Sequence, residues 1–206
     1  MRKFIAIIFL SISFIIPSLA DDVSDFQIGG MSYGESLLDY FDKELIDKEK
    51  NSKYSTKYKN NEYVQIGASY KKDYALRIAS NTYDDLSIIL KTDDDTYKIY
   101  SIGGRNFCKD IAICKSLKKK IVSDLKNLFG KTVEISKDDK NHSADITGNS
   151  KTYNTYFQFN SGAYILVAVY DWSESYKNNG MTFLDNLKVV IVGPEFDNFL
   201  QNVQYK

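Results

Sequence analysis

Over 206 residues the chain carries 27 basic and 27 acidic side chains, and Arg77 and Arg105 are its only arginines beyond Arg2. Charge so evenly balanced, with so few guanidinium forks, argues against a phosphate-reading surface and so against nucleic acid as a partner. Sixteen tyrosines, 12 phenylalanines and one tryptophan suffice for a packed core and exclude general disorder.

The first residues read as an export signal. Arg2 and Lys3 make a basic start, Phe4–Ile16 is an apolar run, and Ser18-Leu19-Ala20 after Pro17 gives a small-x-small cleavage pattern. The run is shorter than the roughly 20 apolar residues needed to span a bilayer. No cysteine follows the cut to carry a lipid. The expectation is a signal peptide over 1–20 and a single α+β domain over 21–206. The mature chain is then periplasmic or secreted, has no membrane span after signal removal, and carries 25 basic against 27 acidic groups.

Phe26–Leu45 reads as a short strand, a glycine turn and a helix. Ser32 and Glu35 are spaced for a capping box, and Leu37, Leu38, Phe41 and Leu45 recur at helical spacing. Gly29, Gly30 and Gly34 do not reproduce a phosphate-binding spacing. The Lys/Asn/Ser-rich stretch 47–61 lacks apolar periodicity and reads as a polar linker or loop. Strands are expected at Tyr63–Ser69, Tyr74–Ala79, Leu86–Thr92 and Tyr97–Gly103, the last two joined across Asp93-Asp94-Asp95. A calcium loop starting at Asp93 would need glycine sixth and a carboxylate twelfth; Lys98 and Gly104 stand there, so the triplet reads as a solvated turn.

Cys108–Gly130 is the organising stretch. Ile111, Cys114, Leu117, Ile121, Val122, Leu125, Leu128 and Phe129 fall on one stripe of a helix roughly 30 Å long, which needs a sheet to lie on. Lys118 falls inside the stripe, its stem expected on apolar surface with the ammonium in water, and Gly130 stands where a left-handed cap belongs. In an exported chain Cys108 and Cys114 are expected to form a disulfide. Residues six apart in continuous helix rise about 9 Å, so Cys108 must lie outside the helix for the bond to close. C-x5-C fits neither a zinc nor a thioredoxin-like motif, and no metal or other cofactor is implied.

Beyond the helix, Thr132–Ile135 reads as an edge strand and 138–150 as a loop. Tyr153–Phe159 and Ala163–Trp172 alternate around Asn160-Ser161-Gly162, a three-residue hairpin loop. That loop pairs Phe157 with Ile165, Thr155 with Val167 and Tyr153 with Val169 on the face beneath the helix. The other face then carries Tyr156, Tyr164, Tyr170 and Trp172. Amphipathic aromatics in such a row are what a recognition surface uses, although single aromatics on sheets more often pack under another element. A strand at Asp185–Val192, with Leu187, Val189 and Ile191 inward, and a short helix opened by Pro194 complete the chain.

His142 is the only histidine, in a polar loop with Asp145 nearby, and no G-x-S-x-G elbow accompanies it. Asp171 and Asp185 flank Trp172 and could converge as a carboxylate pair. Gly30–Phe41, the segment ending at Gly104, Cys114, Tyr170–Ser173, Asp185–Val189 and Glu195–Leu200 together resemble a family of exported proteins of AT-rich, small-genome bacteria. The resemblance implies a secreted single domain and assigns no activity. The strand–glycine–helix opening is also similar to envelope proteins related to β-lactamase inhibitors and outer-membrane assembly lipoproteins, although their lipid-bearing cysteine and second helix are not evident.

The sequence therefore points to an antiparallel sheet of six or seven strands with the long amphipathic helix packed on one face. Its expected role is a non-catalytic binding module of the cell envelope, recognising a protein or envelope component through Tyr156, Tyr164, Tyr170 and Trp172. The alternatives are a hydrolase using Asp171, Asp185 or His142, and a passive structural envelope protein.

Overall fold

Two-residue alternation of apolar side chains builds the centre of the molecule. In the computed structural model, which describes residues 23–69, 73–78, 82–177 and 183–206, the strands are β1 (Thr56–Lys57), β2 (Tyr63–Ser69), β3 (Leu76–Arg77), β4 (Asp85–Lys91), β5 (Ser101–Phe107), β6 (Glu134–Asn141), β7 (Lys151–Gln158), β8 (Tyr164–Asp171) and β9 (Asn186–Val192). They join in one sheet, ordered β1–β2–β4–β5–β9–β8–β7–β6, with β3 parallel on β2 and every other pair antiparallel. The sheet thus has nine strands among the described residues, not six or seven. The signal peptide expected over 1–20 lies outside the described residues.

One cross-strand row sets the core. Ile66, Ile88, Ile102, Ile191, Ile165, Phe157 and Ile135 stand opposite one another through seven successive strands. All but Ile135 are fully buried, and directly opposed residues share a face. Helix α2 (Ile111–Phe129) lies on this face against β8 and β9. Asp110 caps it, its Oδ1 accepting from the Ala112 amide at 2.8 Å.

The buried part of α2 is narrower than the periodicity suggests. Cys114, Leu125 and Phe129 are buried and Ile111, Ile121 and Val122 are partly so, but Leu117 stays 41% and Leu128 56% exposed. The reason is that the helix covers two central strands and not the full width of the sheet. Lys118 also departs from expectation: its Nζ turns inward and donates to the Tyr153 carbonyl at 2.7 Å, and burial lowers its pKa. Gly130 has φ −59°, not a left-handed value; the Phe129 carbonyl is instead taken by the Thr132 amide and hydroxyl.

Cys108 and Cys114 are bonded, with Cα atoms 5.8 Å apart. Cys108 lies just past β5, its amide on the Asp185 carbonyl at 2.9 Å, so the bridge ties the end of that strand to the first turns of α2. Among the described residues no helix is long and apolar enough to cross a membrane.

Four local expectations are corrected. Ser32 N–H does reach Glu35 Oε2 at 2.7 Å, as a capping box requires, but no long helix follows. The Gly34 and Leu37 amides donate to the Ile99 and Tyr97 carbonyls, and the Ile99 amide to the Glu35 carbonyl. With its backbone engaged across the fold, this stretch forms only a 3-10 turn at Leu37–Asp39, and helix α1 (Lys43–Lys50) starts later. The same bridging, with Tyr97 at φ 52°, delays β5 to Ser101. The polar stretch 47–61 holds the last turns of α1, β1 and a 3-10 turn. Glu49 anchors it, buried and accepting from Ala75 N–H and Ser52 Oγ at 2.9 Å each. Strand β6 runs on to Asn141, paired with β7 throughout.

The C-terminal helix α4 (Pro194–Phe199) packs Phe196 and Phe199 on Tyr63, Ile89, Tyr100, Val190 and Val192, covering one end of the opposite face.

Replacing Phe129 by Ala should cost about 3–5 kcal/mol in urea unfolding, as for a large buried ring. Leu117→Ala, on the exposed flank, should stay within about 0.5 kcal/mol of wild type. Equal losses would contradict the narrow contact. Reducing the Cys108–Cys114 bond should remove about 2 kcal/mol, as expected for so short a loop.

Candidate binding cleft on the open sheet face

The register that buries Leu86, Leu187 and Val189 turns their neighbours Asp85 and Lys188 to the other face. Asp85, Arg105 and Lys188 stand directly opposite one another on β4, β5 and β9. Asp85 takes Arg105 as a two-pronged pair, Oδ1 to Nε at 3.0 Å and Oδ2 to Nη2 at 2.8 Å. Lys188 is left beside this pair with no hydrogen bond, ion pair or ring contact among the described residues. Burial, helped by the neighbouring Arg105 charge, lowers its pKa to about 8, and Asp85 opposes this only weakly.

Gly103 makes the arrangement possible. A Cβ there would come within 3.1 Å of Lys188 Cε and Ser87 Oγ, so bare backbone lets the lysine stem lie across β5. Lys188, Arg105, Asp85, Ser87, Gln65 and Asn186 form the polar part of a cleft of about 160 Å³, and Tyr170 and Trp172 form its aromatic part. The Ser87 hydroxyl likewise has no partner among the described residues. Gln65 accepts from Tyr58 OH at 3.5 Å through Oε1, which leaves its amide N–H groups available.

Trp172 is braced on the side away from the cleft and is 8% exposed. Its amide donates to Asp185 Oδ1 at 2.8 Å, and Asp185 Oδ2 pairs with Lys177 of helix α3 (Glu174–Lys177) at 2.9 Å. The indole lies 4.4 Å from the His142 ring and 4.6 Å from Phe183. Tyr176 stacks on it at 5.3 Å, nearly parallel, and Tyr170 at 6.3 Å. His142 Nδ1 accepts from the Ala144 amide at 3.1 Å. Burial lowers the His142 pKa, with Asp145 opposing. Asp145 itself is buried and collects the Ser150 amide and hydroxyl, the Thr147 amide and hydroxyl, and Ser173 Oγ. Those hydrogen bonds, from Ser150 foremost and Thr147 next, hold its carboxyl far below the usual carboxylate range.

The four aromatics named from the sequence are divided between two places. Tyr170 and Trp172 line the cleft. Tyr156 and Tyr164 meet edge-on at 5.8 Å further along the strands. Tyr164 leans on the C-terminal helix, its hydroxyl 3.4 Å from Asp197 Oδ1. The groups considered for hydrolysis do not form a set. Asp171 pairs with Lys115 of α2 at 3.4 Å, Asp185 fixes Trp172, and Asp145 serves the loop hydroxyls instead of His142. Among the described residues no group of three or more His, Cys, Asp or Glu is placed to hold a metal.

Sequence reasoning missed Lys188, Arg105, Asp85, Ser87 and Gln65. One signal was present: a lysine set in an otherwise apolar strand, NLKVVIV, must face the side opposite Leu187, Val189 and Ile191. No family model, curated protein or solved structure matches the chain.

Because the folded His142 pKa lies below its ordinary 6.5, its stabilising contribution is complete above that value and is lost as pH falls through it towards the folded pKa. Urea melts of wild type and His142→Phe should diverge between pH 7 and 5, with wild type alone losing stability. A difference that does not change with pH would contradict the desolvated imidazole.

Proposed function

We propose that the chain is an exported, non-catalytic binding module whose recognition site is the cleft walled by Tyr170 and Trp172. The observation that carries this reading is Lys188, a partly buried ammonium without a partner among the described residues, lining the cleft together with the unpaired Ser87 hydroxyl. A partly buried charge that no neighbour pairs, set in a cleft, is a ready attachment point for an anionic ligand. The aromatic walls supply an apolar body surface next to that polar floor. A volume of about 160 Å³ falls below the roughly 300–1,000 Å³ of drug-sized pockets. The site therefore takes one ring or one headgroup, not an extended chain.

Export is supported by the basic–apolar–small pattern of residues 1–20 and by the disulfide, which belongs to oxidising compartments. The resemblance to exported bacterial proteins agrees with an envelope or extracellular setting. A binding role is favoured over hydrolysis because Asp171, Asp185 and Asp145 are each engaged in holding structure.

The test is retention of small solutes. The small-molecule fraction of an envelope extract is passed over immobilised protein, and bound species are read by mass spectrometry. Wild type and Tyr156→Ala should retain the same solutes, and Tyr170→Ala should lose them while keeping its unfolding free energy within about 1 kcal/mol of wild type. No retention by wild type, or equal retention by Tyr170→Ala, would remove the cleft as the site.

A further inference from the structure

The charges and size of the cleft narrow the ligand class, and this step rests on the binding reading above. Asp85 neutralises Arg105 by occupying Nε and Nη2. Lys188 then supplies one uncompensated positive charge, which matches a monoanion and not a dianion. The Asp85 carboxylate, directly across from Arg105 and lining the same cleft, repels the second charge that a phosphate monoester would bring. The remaining polar groups near Lys188, the Ser87 hydroxyl and the Gln65 amide, are donors of the kind a carboxylate accepts from.

The apolar wall sets the rest of the ligand. Tyr170 and Trp172 lie nearly parallel, 16° between planes, and both line the cleft. Flat aromatic walls favour a ring, whose faces or C–H edges they cover. A cavity near 150 Å³ accommodates a single six-membered ring, which is the size observed here. We infer that the cleft recognises a monocarboxylic acid carried on one ring, the carboxylate on Lys188 and Ser87 and the ring against Tyr170 and Trp172.

Trp172 is the only tryptophan and lines the cleft, so a ligand seated there is expected to change the one indole emission. The probes are cyclohexanecarboxylate and glucuronate, their uncharged counterparts cyclohexanecarboxamide and glucose, and inorganic phosphate, each followed by fluorescence and by calorimetry. The charged groups lining the cleft with Lys188 are Arg105 on β5 and Asp85 on β4, with titratable Tyr170 on β8. The Lys188 pKa lies near 8.

A carboxylate should bind saturably to wild type, at least about tenfold tighter than its neutral counterpart, as expected for hydrogen bonds to a charged group. Lys188→Met should abolish that preference, and Lys188→Arg should keep most of it. Wild-type affinity for the acid should fall above pH 8, some two units earlier than for an ordinary lysine near 10.4. A lysine that only supports the fold would show neither the preference nor this pH dependence. If cyclohexanecarboxylate wins, the natural ligand is an apolar ring acid; if glucuronate wins, it is a sugar acid. Equal binding of acid and neutral counterpart overturns the acid assignment and leaves the cleft reading intact. Tighter binding of phosphate than of either acid overturns the monocarboxylate class. No saturable change with any probe, in either measurement, overturns the inference. Loss of the cleft reading itself needs the separate failure of solute retention.

Discussion

Everything here hangs on the two-residue period of an antiparallel sheet. Once Ile66, Ile88, Ile102, Ile191, Ile165 and Phe157 are locked into one row, each flanking residue is committed to the opposite side. A slip of one position in any strand would bury a charge such as Arg105 or Lys188 among isoleucines, at a cost far above the marginal stability of a domain. The same constraint that makes the core therefore gathers the polar row. Asp85, Arg105 and Lys188 need no separate device to bring them together. They are what is left when their neighbours are buried.

The two sides of the sheet are closed in different ways. On one, α2 and the segment around Ile28, Met31 and Leu37 complete a continuous apolar cluster. On the other, α4 covers the end near Tyr63 and Val192, and the Trp172 stack rises at the far end, leaving the cleft between. Trp172 belongs to two systems at once. It is braced by Asp185, His142, Tyr176 and Phe183, and it presents a surface to the cleft. The hydroxyl network around Asp145 extends that bracing, since Ser173 next to Trp172 shares the Asp145 carboxylate with Ser150. A wall held by so many contacts has few other arrangements open to it, which is the condition under which the proposed small site would bind with selectivity.

Much of this was legible in the residues. The β7–β8 register followed from Gly162, at φ 84°, and from simple alternation; Phe157 does oppose Ile165. The disulfide followed from composition and from the requirement that Cys108 stand outside the helix. What could not be read was long-range. The cleft draws on β2, β4, β5, β8 and β9, from Gln65 to Lys188, and strand order between distant segments leaves no local trace. The helix expected after Ser32 failed for a similar reason: Gly34, Glu35 and Leu37 spend their backbone groups on Tyr97 and Ile99. Tertiary pairing outranked a favourable local spacing. Lys188 was visible in the same strand, but the spacing of Leu187, Val189 and Ile191 marks only the buried half of it.

The outermost strand, β6, has a further consequence. It bonds to β7 along its whole length, and among the described residues no strand pairs with its other margin. Its sequence, EISKDDKN, has a single large apolar side chain among eight residues. A bare strand margin is a template on which a neighbouring copy can add itself, the first step of fibril growth. Mixed charges along this margin make such stacking unfavourable. The molecule thus carries its own safeguard against joining sheets edge to edge.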